Sequence, residues 1–127
     1  MGAWRAIDGN HDGGAYFTCS HTLWNSGAPE RWWQVDFGFV AQVDKVTIWN
    51  IYASGHWYRI QGATMELLDI DGNILDTSAI TMGLAVEPSV ETFQFSSPVA
   101  NVAAVRITST NGYPLHVCEV EAYGYIQ

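Results

Sequence analysis

The sequence predicts an all-β protein, a sandwich or barrel. Two observations carry this. No stretch has the periodicity of a long amphipathic helix, and short runs rich in Val, Ile, Thr and aromatic residues recur between clusters of Gly, Asn, Asp, Ser and Pro. The first expected strand is 32–37, where Trp32, Gln34 and Asp36 alternate with Trp33, Val35 and Phe37. A strand over 45–50 follows. Strands over 64–70 and 73–76 come next, joined by Asp71-Gly72 as a hairpin turn. The last three are 90–95, 103–109 and 117–125. The run from Val102 to Thr108 has the unbroken β-branched character of a central strand. The first thirty residues are rich in turn formers and lack periodicity, which marks a functional or ligand-bound segment. Further loops are expected over 51–61 and 111–115.

A chain of 127 residues is one domain's worth and long enough to bury a core. The net charge is −8, and the five basic residues form no cluster, which argues against a nucleic-acid partner. The acidic balance also argues against anionic membranes. No apolar run is long enough to span a bilayer. Six Trp, six Tyr and five Phe exceed what one small core needs, so some rings are expected in loops as ligand platforms.

Cys19 and Cys118 sit near opposite ends of the chain. They read either as one disulfide or as two buried thiols. No secretory signal is present, so a secreted or extracellular location rests on the disulfide reading alone.

Four constellations can carry chemistry. Asp8-Gly9-Asn10 heads the oxygen-rich loop, with Thr18 further along it. Calcium takes six to eight oxygen ligands of this kind, and Glu119 joins the loop if the two cysteines are bonded. A plain Gly/Asx turn fits the same residues. Asp69-Ile70-Asp71-Gly72-Asn73 looks like a calcium loop, but its glycine and its twelfth residue, Ile80, are misplaced for one, so it is a turn. His21 and His56 flank aromatic loop residues and offer imidazoles to a hydroxyl-rich ligand; no histidine pair has zinc-motif spacing. Arg59 brings a two-pronged donor beside Trp57 and Tyr58, or else an ordinary surface ion pair. No nucleophile elbow, phosphate loop or facing carboxylate pair is present, so a catalytic role is not expected.

Thr18-Cys19-Ser20-His21-Thr22, Trp32-Trp33-Gln34-Val35-Asp36-Phe37-Gly38, Val46-Thr47-Ile48-Trp49-Asn50, Arg59-Ile60-Gln61-Gly62-Ala63 and Leu115-His116-Val117-Cys118-Glu119-Val120-Glu121 occur in order. Together with Ala6-Ile7-Asp8-Gly9-Asn10 they resemble the F-type (fucose-binding) lectins of the discoidin, or coagulation factor type C, superfamily. The resemblance covers about residues 5–124. It implies a single eight-stranded jelly-roll β-sandwich over 1–127. The strand that family members carry ahead of Asp8-Gly9-Asn10 has no counterpart in Met1–Arg5, which points either to a trimmed module or to one that borrows a partner's strand to cover an open sheet edge. The resemblance also implies a Cys19–Cys118 disulfide. The implied calcium set is Asp8, Asn10, Thr18, Glu119, the Cys118 carbonyl and an Arg5 carbonyl.

The sugar site matches in part. His21 matches the family's histidine and Arg59 its second arginine. The first arginine falls on Ile51, the Asp of its Arg-x-Asp on Ala53, and the contacting Cys-Cys pair on Ser54-Gly55. Loss of a charged donor costs roughly 1.5–3 kcal/mol. Stacking on His56, Trp57, Tyr58, Tyr52 and Trp24 would compensate and shift preference towards another sugar.

The expected function is therefore calcium-stabilised glycan binding, as a module of a larger protein or an oligomer. The alternatives are a discoidin-type protein- or lipid-binding adhesion domain, presenting Trp24, Trp57 and Tyr113, and a structural subunit of an assembly.

Overall fold

The computed structural model describes residues 3–14, 18–22, 30–52, 55–83, 87 and 89–127. Trp24, Ala53 and Ser54 lie outside them. Seven strands appear among the described residues: β1 (Ser20–His21), β2 (Arg31–Trp49), β3 (Thr64–Leu68), β4 (Ile74–Ala79), β5 (Val90–Ser109), β6 (His116–Val117) and β7 (Glu119–Ile126). Five form an antiparallel sheet in the order β4-β3-β5-β2-β7, and β1 pairs with β6 in a second, smaller sheet. The two layers make the sandwich that the alternating runs predict.

The expected strands at 32–37 and 45–50 are one continuous strand, β2, and those at 90–95 and 103–109 are one strand, β5. The joins are bends, not breaks. The β2–β5 register shifts between Asp36 and Ala41 and twice more before Lys45. Gly38 (φ 80°) and Asn101 (φ 66°) take left-handed conformations there, one on each strand. Asn101 is tied down by the chain's end: its N–H donates to Gln127 Oε1 at 2.7 Å.

The Asp69–Asn73 segment is the β3–β4 hairpin turn, as its sequence suggests. Asp69 accepts the amides of Asp71 and Asn73 at 2.9 and 2.8 Å, and Gly72 has φ 83°. These bonds stabilise the ionised Asp69 carboxylate and lower its pKa.

The core lies between the layers. Val43, Val46, Ile48, Met65, Leu67, Val102, Val105 and Ile107 from the large sheet meet Leu115 and Val117. Trp33, from the alternation read in the sequence, is buried and donates its indole N–H to Ala3 O at 3.0 Å. Beside the main core, Ile51 packs with Cys19, Cys118 and Trp49. Chain segments far apart in sequence thus meet at one end of the sandwich.

Candidate functional site

Cys19 and Cys118 are bonded. The bridge fixes two neighbouring groups of side chains: an oxygen-rich loop on one side and an imidazole–guanidinium cluster on the other.

The loop is built from consecutive Asx turns. Asp8 Oδ1 accepts the Asn10 amide, Asn10 Oδ1 the Asp12 amide, and Asp12 Oδ1 the Gly14 amide, at 3.0, 3.0 and 2.8 Å. Thr18 Oγ1 donates to Asp12 O at 2.7 Å. Glu119, one residue past the bridge, is 3% exposed and takes the Gly9 amide on both oxygens at 3.1 and 3.2 Å. Burial raises its pKa, and the charges of Asp8 and Glu121 push the same way against the Gly9 hydrogen bonds. Asp8, Asn10, Thr18 and Glu119 are therefore gathered around one loop. Arg5 stands in a 3-10 turn (Ala3–Ala6) ahead of it, its guanidinium 5.0 Å from the Trp4 ring centre.

The second group starts from the small sheet. His21 and His116 are cross-strand partners in the β1–β6 pair, with ring centres 5.2 Å apart. Thr22 N–H donates to Leu115 O, and Leu115 N–H to Thr22 Oγ1, which locks the register. His56 stacks on His116 at 5.4 Å and 12°. Arg59 follows in a 3-10 turn (Trp57–Ile60), with its amide donating to His56 O at 3.2 Å. The turn itself is held by Asn50 and Asn111: Asn50 Nδ2 donates to Trp57 O, and Asn111 Nδ2 to Arg59 O and Gln61 O.

Arg59 is 5% exposed and His116 is fully buried. The guanidinium is only a donor, so the 3.5 Å contact between its Nη1 and His116 Nδ1 makes Nδ1 the acceptor and leaves the His116 proton on Nε2. Burial first, then the positive field of Arg59 and the two other imidazoles, lower the His116 pKa to about 3. Burial and Arg59 lower His56 as well. His116 is thus a neutral prop under Arg59. In the sequence His116 does not stand out as a site residue, since only His21 and His56 are singled out there by flanking aromatic loop residues.

A half-exposed aromatic patch adjoins the cluster. Trp57 meets Tyr58 edge to face at 5.8 Å, and Tyr58 meets Tyr113 edge to face at 4.8 Å. Tyr113 is 41% exposed. Tyr52 lies against Gly13 and Gly14 of the oxygen-rich loop. Its partial burial and a hydrogen bond to Glu87 raise its hydroxyl pKa. Ile51, where the family resemblance puts the first arginine, is a buried core residue.

The family model of the NedA-like, galactose-binding domain matches residues 5–107. The chain belongs to this galactose-binding domain family, the F5/8 type C group. No curated protein matches the sequence. Solved structures share the galactose-binding domain fold. The lectin domain of lectinolysin, complexed with the Lewis b antigen, superposes with a TM-score of 0.81 at 24% identity, over 97% of this chain and 84% of that one. A fucose-binding module of Streptococcus pneumoniae gives 0.80 at 24% identity, over 97% and 85%. The family 32 carbohydrate-binding module of Clostridium perfringens NanJ, in complex with galactose, gives 0.69 at 24% identity, over 94% and 82%.

Proposed function

We propose that this galactose-binding-like domain is a secreted, non-catalytic, glycan-binding module stabilised by calcium. The observation that carries the reading is the convergence of His21, His56 and Arg59 beside the Trp57–Tyr58–Tyr113 patch. A sugar offers the two surfaces this arrangement suits: vicinal hydroxyls for fixed polar groups and an apolar face for a ring. Arg59 is pre-organised by His116 below it and by Asn111 on its carbonyl, so little side-chain freedom is lost on binding. The sugars bound by the fold's solved relatives, Lewis b, fucose and galactose, set the classes to test first. With Ile51 in the core, the hydroxyl contacts fall to His21, His56 and Arg59, and Trp57 and Tyr58 supply stacking.

The donor chemistry of the loop fits calcium. Among the described residues, Glu119 is a buried carboxylate in the field of Asp8, met by the one Gly9 amide N–H and by His11, an incomplete match for its charge. Asp8, Asn10, Thr18, Glu119 and the carbonyls of Cys118 and Arg5 would hold the ion. When bound, calcium supplies a hard positive centre that orders the loop. The ligand-facing side chains belong to the other side of the disulfide, so the ion's role is structural.

A glycan array carrying fucosylated, Lewis-type and galactosyl structures, run in calcium and in chelator, tests the reading. Glycan binding lost in His21→Ala and Arg59→Ala is the expected result. Binding only to liposomes, or binding indifferent to both substitutions, rejects it.

A further inference from the structure

We infer that His11, Glu119 and Glu121 form a binding site for a first-row transition-metal dication, with zinc as its probe. This goes beyond the glycan reading, and it shares only Glu119 with the proposed calcium set.

Glu119 and Glu121 alternate along β7 and so point to the same side of the sheet. His11 arrives from the oxygen-rich loop. Its ring lies flat on Trp49, 3.9 Å between centres and 10° from parallel, and Trp49 is the β2 register partner of Glu119. That stacking presents the His11 Nε2 atom to Glu121 Oε1 at 2.7 Å. One nitrogen and two carboxylate oxygens, one per residue, then lie within 4.8 Å of one another.

The chemistry selects the ion. Two carboxylates and a neutral imidazole carry charge −2, which a dication neutralises. Imidazole nitrogen is a favoured ligand of zinc and its neighbours, whereas calcium takes oxygen. Small rotamer changes draw the three atoms to the spacing of a tetrahedral site, with water completing it. Nε2 ligates through its lone pair, so the ring keeps one proton on Nδ1: a neutral ring moves its proton there, and an imidazolium gives its Nε2 proton to solvent. Holding the ring on Trp49 limits the freedom His11 loses. Glu121 is also oriented by the Tyr123 hydroxyl, which donates to its other oxygen.

Titration calorimetry of the chelator-stripped chain with zinc chloride tests this. One zinc per chain is expected, weakened at least roughly tenfold by His11→Ala and by Glu121→Gln. The warming of the unfolding transition by calcium should persist in both variants. His21→Ala and His56→Ala should leave zinc affinity unchanged. Cobalt(II) should give visible ligand-field bands in the parent chain and not in His11→Ala, whose far-ultraviolet circular dichroism checks its fold. Unchanged zinc affinity in both His11→Ala and Glu121→Gln, zinc loss that follows His21 or His56 instead, or no zinc bound by the parent chain overturns the assignment.

Discussion

His116 Nδ1 accepts from Arg59 Nη1 across 3.5 Å inside a fully buried contact, and this relationship sets how the imidazole–guanidinium cluster responds to acid. The folded His116 titrates at about 3, against an ordinary histidine value of 6.5 in the unfolded chain. Between those values the unfolded state binds the extra proton, so stability rises with pH. The contribution is complete above pH 6.5 and is lost as pH falls through 6.5 towards 3. Its slope is about 1.4 kcal/mol per pH unit. Urea unfolding at pH 4, 5, 6 and 7 should show that slope in the parent chain, and a slope shallower by about that amount in His116→Gln. Parallel curves for the two proteins would mean that His116 is not held neutral.

His116→Ala should also loosen Arg59 without removing any of the groups proposed to contact the glycan, His21, His56 and Arg59. Glycan affinity is expected to fall by roughly tenfold, the worth of one hydrogen bond to a charged group. Isothermal titration against the best array glycan checks this. A loss equal to that of Arg59→Ala would fit a collapsed site, and no loss would show that Arg59 needs no prop.

A second polar pair lies on the large sheet. Glu66 and Arg106 are β3–β5 register partners, joined by two hydrogen bonds at 3.2 and 2.8 Å, with the Thr108 hydroxyl donating to the same carboxylate. Burial alone would raise the Glu66 pKa; the bonds from Arg106 and Thr108 outweigh it and lower it. A depressed carboxylate stabilises the fold above its unfolded value and loses that contribution as pH falls through the folded one. Glu66→Gln should cost about 1–3 kcal/mol at neutral pH and less below pH 4, measured by urea unfolding at both.

The sandwich was legible in the sequence because alternation and turn residues carry the local signal: Trp33 and the exposed Trp32 fall on opposite faces of the strand, as their alternation requires, and Asp71-Gly72 turns the β3–β4 hairpin. The continuity of β2 and β5 was not legible. Gly38 and Asn101 look like chain breaks, yet a bulged strand uses the same left-handed conformations while pairing resumes on either side. The imidazole–guanidinium cluster was half legible. His21 and Arg59 stood out through a family pattern and His56 through its aromatic neighbours, but the burial of His116 comes from pairing with His21, 95 positions away. Likewise nothing local links His11 to Glu121, which are 110 positions apart. Nor does anything local place Tyr52 against Gly13 and Gly14 of the oxygen-rich loop.

Gly13 anchors that loop by lacking a side chain. A Cβ at Gly13 would lie 2.3 Å from Asn50 O, a backbone atom beside the turn that carries Arg59. Gly13 O also accepts the Tyr52 amide at 3.0 Å. Gly13→Ala should therefore push the loop away from Asn50 and cost about 1–3 kcal/mol of overpacking. The calcium-dependent rise in the unfolding temperature should shrink with it. Differential scanning fluorimetry in calcium and in chelator reads both effects. An unchanged transition would mean that the loop yields at no cost.

The disulfide connects positions 99 residues apart and carries Glu119 to the oxygen-rich loop. On the chain-entropy account, closing a loop of that length restricts the unfolded chain by roughly 4–5 kcal/mol. Cys19→Ala with Cys118→Ala should lower stability by about that amount in urea. The reach of the damage separates two roles. If the bridge only restrains the unfolded chain, calcium should raise the variant's unfolding temperature as much as the parent's. If it also positions Glu119, the calcium effect should fall together with stability, because the buried carboxylate then has no fixed address beside Asp8 and Gly9. The second outcome is expected, since Cys19, Cys118 and Ile51 form one packed cluster and Glu119 is the next residue along.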